Sequence, residues 1–162
     1  MEVKIKLNGG IMPKKAHPSD AAFDLYVPED VVLQHGRQII DLKFSIELPI
    51  GYAATIQPRS GFSAKGMEVE AHQKITKVED VFDTIIDADI IRGLIDENYR
   101  GNVGAIIKVD DEYCRYHRCV LKKGTRIAQM QIVEVPQVEL IEVEELSDTD
   151  RGKGGFGHTG AR

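Results

Sequence analysis

Hydrophobic and polar residues alternate along most of this chain with a period of two. In the run from Ile40 to Leu48, apolar residues occupy every even position, and Asp, Lys, Ser and Glu occupy the positions between them. Successive side chains of a β-strand point to opposite faces of the sheet, so this run predicts a strand with one buried face. Alternation or β-forming composition predicts further strands at 3–7, 23–27, 103–109, 126–135 and 138–143.

Turn-forming residues separate the predicted strands, as at Asn8-Gly9-Gly10, Pro49-Ile50-Gly51 and Lys123-Gly124. Many short strands at such spacing predict an all-β fold, a jelly-roll-like sandwich or barrel. The 162 residues are enough for one domain with a hydrophobic core, which we expect over 1–150. The stretch that follows, 151–162, is rich in glycine, which disfavours helix and strand, so a mobile C-terminal arm is predicted there.

Residues 67–92 form an acidic insert that fits two patterns at once. Val78, Val81 and Ile85 recur at helical spacing, whereas Phe82 and Ile86 belong to a run that alternates as a strand does. In a chain this rich in predicted strands, we expect a hairpin, and a helix is the alternative.

Composition and charge exclude several classes of partner. The formal net charge is −5, with acids and bases interspersed, which predicts no nucleic-acid partner. No apolar run approaches the roughly 20 residues of a membrane span, so no membrane association is expected. The N-terminal Met1-Glu2-Val3-Lys4 lacks the layout of a signal peptide, which predicts a cytoplasmic protein.

Cys114 and Cys119, with His117 between them, raise the question of a metal site. A structural zinc site needs four ligands, usually as two spaced pairs, and this segment lacks them. The favoured interpretation is two reduced thiols in one strand, pointing to opposite faces because their separation is odd.

Three short segments combine polar residues that suit catalysis or phosphate binding. Arg59-Ser60-Gly61 offers a guanidinium, a hydroxyl and a backbone N–H to phosphate oxygens, or is an ordinary turn. Asp96 follows an apolar pair and precedes a predicted turn, where a carboxylate acts as a general base or caps the turn. Gln129 lies in an apolar strand, where its amide needs a ligand or a backbone partner.

These segments, with two others, resemble in order the five motifs of the trimeric dUTPases. The resemblance extends from near the N-terminus to the last residues of the chain. The matching segments are Ala22–Leu25, Pro58–Gly66, Gly93–Gly101, Gly124–Gln129 and Arg151–Gly160.

The resemblance implies hydrolysis of dUTP to dUMP and pyrophosphate. Asp96 would be the base that activates the attacking water, and Tyr99 would pack on the deoxyribose and exclude a 2′-hydroxyl. The hairpin around Asp96, including Gly93 and Ile95, would bind uracil through its backbone.

The resemblance also implies how the triphosphate is held. Arg59, Ser60, Gly61 and Gln129 would bind the phosphates, and Asp24 would support Mg²⁺ indirectly, through water. A triphosphate brings a magnesium ion held largely by its own oxygens, so few protein ligands are required.

The C-terminal arm would close over the nucleotide. Phe156 would stack on uracil, and Arg151, Gly157, His158 and Thr159 would contact the substrate, with Arg151 and Thr159 on the γ-phosphate. His158 stands where the family usually has Ser, which puts that phosphate contact in question. In this family each site draws on three subunits, so a homotrimer is implied.

Two alternative functions are compatible with this fold. A dCTP deaminase resembles the same fold, but that family carries a catalytic Glu on the strand after the third motif, and Val103–Lys108 contains no acid. A dUTPase-like protein with a regulatory role is the other, with the 67–92 insert as the contact for an unknown protein partner.

Overall fold

The alternating run at Ile40–Leu48 forms most of the longest strand in the computed structural model, which describes residues 1–75, 78–149 and 152. Twelve strands and two short helices occur within these residues. They are β1 (Lys4–Leu7), β2 (Phe23–Tyr26), β3 (Val31–Leu33), β4 (Gly36–Glu47), β5 (Tyr52–Gln57), α1 (Ser60–Lys65), β6 (Met67–Ile75), β7 (Val78–Ile86), β8 (Ala88–Ile91), β9 (Gly93–Ile95), β10 (Asn102–Val109), α2 (Tyr113–Tyr116), β11 (Arg118–Leu121) and β12 (Arg126–Glu134).

The strands form three antiparallel sheets of four strands each. Their orders are β1-β4-β10-β8, β3-β11-β6-β7 and β2-β12-β5-β9. The predicted all-β class is confirmed, and the sheets are packed together without closing into a barrel.

Alternate side chains of β4 form the centre of the core. Leu42, Phe44 and Ile46 are at most 2% exposed. They belong to one buried cluster with Ile107 of β10 and Ile127 of β12, so the core joins the first and third sheets. Full burial of an aliphatic or aromatic side chain stabilises the fold by about 1.5–3 kcal/mol.

The acidic insert begins with two paired strands. β6 and β7 pair in register from Met67–Ile86 to Ile75–Val78, and β7 is the outer strand of its sheet. Met67 and Val69 of β6 are buried while Glu68 between them is exposed. The strand alternation, rather than the helical spacing, therefore describes the segment.

The strand predicted at 138–143 is wrong. Residues 135–149 adopt no helix or strand. Val138, Leu140 and Ile141 are at least 74% exposed. A strand requires a neighbour for its backbone hydrogen bonds, and none of the described strands of this protomer lies beside the segment.

The prediction for the cysteines was also partly wrong. Both thiols are free, but Cys114 lies on α2 rather than on a strand, and Cys119 lies on β11. Both side chains enter the same core, and the rule of opposite faces does not apply because the two residues lie on separate elements. Burial raises the pKa of each thiol, which disfavours the reactive thiolate.

The arm predicted at 151–162 lies outside the described residues, except for Gly152. Among the described residues, no helix is long and apolar enough to cross a membrane.

The close packing at Gly66, in the turn between α1 and β6, predicts how a substitution there affects stability. Gly66 has φ +82, and a Cβ there would lie 2.7 Å from both Ile85 Cγ2 and the Ile86 carbonyl oxygen. Gly36 has φ +96, with nothing within 4 Å of the same position. Both substitutions to Ala incur backbone strain, but only Gly66→Ala adds overpacking, which costs about 1–3 kcal/mol.

We therefore expect Gly66→Ala to lower the free energy of unfolding more than Gly36→Ala does. Urea denaturation of both variants at one protomer concentration measures the difference. Equal destabilisation would mean that β7 moves aside at no cost.

Candidate active site

Three adjacent strands of the third sheet bring polar side chains into one row. On β12, Gln129 pairs with Asp24 of β2 on one side and with Gln57 of β5 on the other. The strand pattern around them is apolar, with Ala128 and Met130 buried on the opposite side of β12. The three polar groups therefore share one face at the edge of the core.

Asp24, at one end of this row on β2, is a buried carboxylate with 6% exposure. Its Oδ1 accepts a hydrogen bond from Arg59 Nε at 2.9 Å, and its Oδ2 accepts one from Arg126 Nη1 at 3.4 Å. A buried carboxylate needs such partners, because an unpaired charge is costly to remove from water. Asp24 therefore holds two guanidinium groups side by side.

These residues line an open cleft of about 320 Å³, with two arginines and two glutamines among its polar groups; we call it the phosphate cleft, after the ligand that the resemblance in sequence implies. Its lining residues are Ala16, Asp20, Ala21, Ala22, Asp24, Gln57, Arg59, Arg126 and Gln129.

Arg59 lies at the start of α1, directly after Pro58 ends β5. The helix is held by Phe62, which is 7% exposed, and by the Ser63 N–H, which donates to the Arg59 carbonyl at 3.0 Å. Ser60 and Gly61, in the first turn, are exposed. Backbone N–H groups in the first turn of a helix have no intrahelical acceptor, so they remain available to an anion.

A second cleft, of about 290 Å³, lies between the other edge of this sheet and strands β4 and β10 of the first sheet; we call it the hairpin cleft. β9 pairs with β5 there, and Asp96 follows β9 directly with an exposed side chain. Its lining includes Gly93, Ile95, Asp96 and Tyr99, together with Ile39, Ile56, Leu94, Asn102, Val103, Gly104 and Ile106.

Tyr99 is fixed at the mouth of the hairpin cleft. Its hydroxyl donates to the Asn102 carbonyl at 2.9 Å, and its side chain passes over Gly101. A Cβ at Gly101 would lie 2.7 Å from Tyr99 Cζ, so the absence of a side chain there permits the ring position. The ring is 45% exposed and presents an aromatic surface.

The protomer thus divides the predicted site into two parts. Arg59, Asp24 and Gln129 lie together in the phosphate cleft, while Gly93, Ile95, Asp96 and Tyr99 lie in the hairpin cleft, and no residue lines both. Ser60 and Gly61 adjoin Arg59. The remaining predicted contacts, Arg151, Phe156, Gly157, His158 and Thr159, lie outside the described residues.

Arg126 and Gln57 were missed by the sequence analysis as site residues. Arg126 belongs to the fourth motif, and an exposed arginine at the start of an apolar strand could have been noted as a phosphate ligand. Gln57 gives no such signal, because its place beside Gln129 depends on the register of two strands distant in sequence.

Comparison with known proteins agrees with this arrangement of motifs. The family model described as dUTPase matches residues 8–78 and 84–160 of the chain.

The chain belongs to the dUTPase family.

Curated relatives of this family cover almost the whole chain. A deoxyuridine 5'-triphosphate nucleotidohydrolase of Crocosphaera subtropica is 39% identical over 163 residues, which cover 99% of each protein. The enzyme of the same name from Cowpox virus is 36% identical and covers 93% of this chain and 86% of its own length.

Solved structures of the family show the same fold. The dUTPase of Staphylococcus bacteriophage 80alpha, with dUpNHpp, superposes with a TM-score of 0.75 at 30% identity, covering 98% of both chains.

The geometry of the phosphate cleft makes a prediction about Arg126. Arg126→Ala should weaken binding of inorganic triphosphate by about tenfold or more, because a hydrogen bond to a charged group is worth about 1.5–3 kcal/mol. Titration calorimetry would measure the affinity. Lys123→Ala removes a cation three residues away that does not line the cleft, and it should leave the affinity within about twofold. Equal losses in the two variants would refute a specific role for Arg126.

Proposed function

We propose that this protein hydrolyses dUTP to dUMP and pyrophosphate by attack of water on the α-phosphate. The reaction lowers the dUTP level and supplies dUMP for thymidylate synthesis. The observation that supports it most is the presence of two clefts of complementary chemistry at opposite edges of the third sheet, in a chain of the dUTPase family.

The phosphate cleft suits a triphosphate. Arg59 and Arg126 would neutralise phosphate charge, and the Asp24 carboxylate between them keeps their guanidinium groups close without filling the cleft. Gln129 and the backbone at Ser60 and Gly61 would add neutral donors. Phosphoryl transfer depends chiefly on positioning and on charge stabilisation, which these groups provide.

The hairpin cleft suits a deoxyuridine. Backbone groups at Gly93 and Ile95 would pair with the uracil edge, and Tyr99 would pack against the deoxyribose. Asp96 would accept a proton from the attacking water. Its carboxylate is exposed, so a water molecule can reach it.

Magnesium fits this site as an ion bound by the substrate's phosphates, and not as one held mainly by protein ligands. Among the described residues, no group of three or more His, Cys, Asp or Glu side chains could hold a metal ion. The Asp24 carboxylate already contacts two arginines, so water-mediated support is the role left to it. Bound through phosphate oxygens, Mg²⁺ would neutralise charge on the triphosphate.

A homotrimer would unite the two clefts. The proposed assembly places the hairpin cleft of one subunit against the phosphate cleft of another, with the 151–162 arm of a subunit closing over the nucleotide. Supporting it, apolar side chains in the segment after β12, such as Leu140 and Ile141, are exposed in the protomer, as are Ile39 and Leu94 in the hairpin cleft. Exposed apolar patches of this kind mark interfaces.

Neither alternative function is favoured over hydrolysis. β10, which follows the third motif, contains no carboxylate that could serve a dCTP deaminase. A regulatory contact at 67–92 remains a proposal that is compatible with hydrolysis, because no residue of that insert lines either cleft.

A nucleotide panel tests the proposed function directly. We expect pyrophosphate release from dUTP, with UTP, dTTP and dCTP poorer by orders of magnitude. A site that pairs buried polar groups with one base leaves them unpaired with another and discriminates by about 10⁴-fold or more. Comparable turnover of dCTP, or release of ammonia, would contradict the proposal.

Mixing two inactive variants tests the shared site. Asp96→Asn should lose about 10²–10⁴-fold in turnover as the base is removed. A variant lacking 151–162 should lose activity because the arm no longer closes. If Asp96 and the arm at one site come from different subunits, mixed trimers should regain up to about a quarter of the active sites. No recovery after co-refolding, with mixed trimers verified by mass, would show that the site is not shared in this way.

A further inference from the structure

Glu97 directly follows the proposed base Asp96, and its side chain reaches the turn that precedes β5. Its Oε2 accepts a hydrogen bond from the Gly51 backbone N–H at 2.5 Å. The β5–β9 ladder has already ended, at the Ala54–Ile95 pair. We propose that Glu97 is a positioning residue whose carboxylate fixes the Asp96 turn relative to β5; this rests on the hydrolysis proposed above.

Within the part of the chain that the structure describes, the other hydrogen bonds of this turn are local. The Asp96 carbonyl accepts the Tyr99 N–H at 3.1 Å. Arg100 Nη1 donates to the carbonyls of Glu97 and Tyr99 at 2.6 and 2.9 Å. These bonds shape the turn but do not fix its position on the sheet. The Glu97 carboxylate, by contrast, bonds to a residue 46 positions earlier in the chain.

The carbonyl of Gly51 is bonded to the segment that leads to the C-terminal arm. It accepts the N–H of Val135, the first residue after β12, at 2.8 Å. Gly51 has φ +81, a conformation that glycine adopts without strain. The Asp96 turn and the start of the C-terminal segment are therefore attached to one and the same residue.

This arrangement separates the roles of two neighbouring carboxylates. The half-buried Glu97 is engaged by a backbone donor, whereas the Asp96 side chain is exposed to solvent. A hydrogen bond to an ionised acceptor is shorter and stronger than a neutral one, which suits a fixed anchor. Displacing a reacting group by about 1 Å can lower the rate by about 10²-fold.

Two variants of Glu97 separate positioning from a general structural role. Glu97→Ala removes the acceptor and should lower kcat by about tenfold to hundredfold, with KM for dUTP changed by less than about threefold. Glu97→Gln keeps a carbonyl oxygen at the same reach and should keep kcat within about threefold of wild type. Glu29→Ala, which removes an exposed carboxylate paired with Lys43, is the matched control and should leave kcat unchanged.

A second readout does not depend on turnover. Amide hydrogen exchange at Gly51 should be faster in Glu97→Ala than in wild type and close to wild type in Glu97→Gln. If Glu97→Ala fails to fold, Glu97→Asp replaces it, since the shorter side chain retains the charge but falls short of Gly51. Loss of kcat in that variant supports the proposal, and full kcat overturns it.

Three outcomes would contradict the positioning role, the proposed function or the Glu97–Gly51 contact, and they can be told apart. Unchanged kcat in Glu97→Ala, or equal losses in the Ala and Gln variants, would overturn the positioning role while wild type still hydrolyses dUTP. Absence of dUTP hydrolysis by wild type would instead refute the proposed function. Gly51 exchange that is the same in wild type and Glu97→Ala would overturn the anchoring contact itself.

Discussion

The antiparallel ladder that places β12 between β2 and β5 is the constraint on which the phosphate cleft depends. Because Gln129 pairs with Asp24 and with Gln57, the register of two strand pairs determines which polar groups meet. A slip of one residue would turn each side chain to the opposite face. Ala128 and Met130 oppose such a slip, because their burial would be lost.

The same ladder explains why a charged residue can lie against the core. Asp24 is nearly inaccessible, and its two oxygens face the guanidinium groups of Arg59 and Arg126. Removing a carboxylate from water is tolerated only when charged partners replace the lost hydration. The arginines reach it from α1 and from the start of β12, so the cleft has its cations where three elements converge.

A single protomer keeps its two clefts apart and leaves apolar side chains exposed. Its two clefts share no lining residue, and the segment after β12 exposes Leu140 at 94% and Leu146 at 88%. Such exposure is unfavourable for an isolated chain in water. The proposed trimer would bring the clefts together and cover apolar surface, so one association would serve both stability and catalysis.

Local alternation was sufficient to predict several elements. Strands β4 and β10 follow from period-two patterns that agree with their burial, and the segments 67–75 and 78–86 are the strands that were preferred over a helix. The prediction failed at 138–143, where four β-forming apolar residues are interspersed with two glutamates but no strand of the described chain lies alongside. The prediction that Cys114 and Cys119 point to opposite faces failed as well. An odd separation puts two side chains on opposite faces only along one unbroken strand, and Cys114 lies on a helix.

The sequence by itself determined the all-β class and the motifs that identify the family, because side-chain periodicity and short contiguous patterns are local properties. Tertiary structure alone decided that Arg126 and Gln57 join the phosphate cleft, and that Glu97 contacts Gly51. These contacts join residues tens of positions apart. They depend on strand register and on the packing of separate elements, which no local pattern encodes.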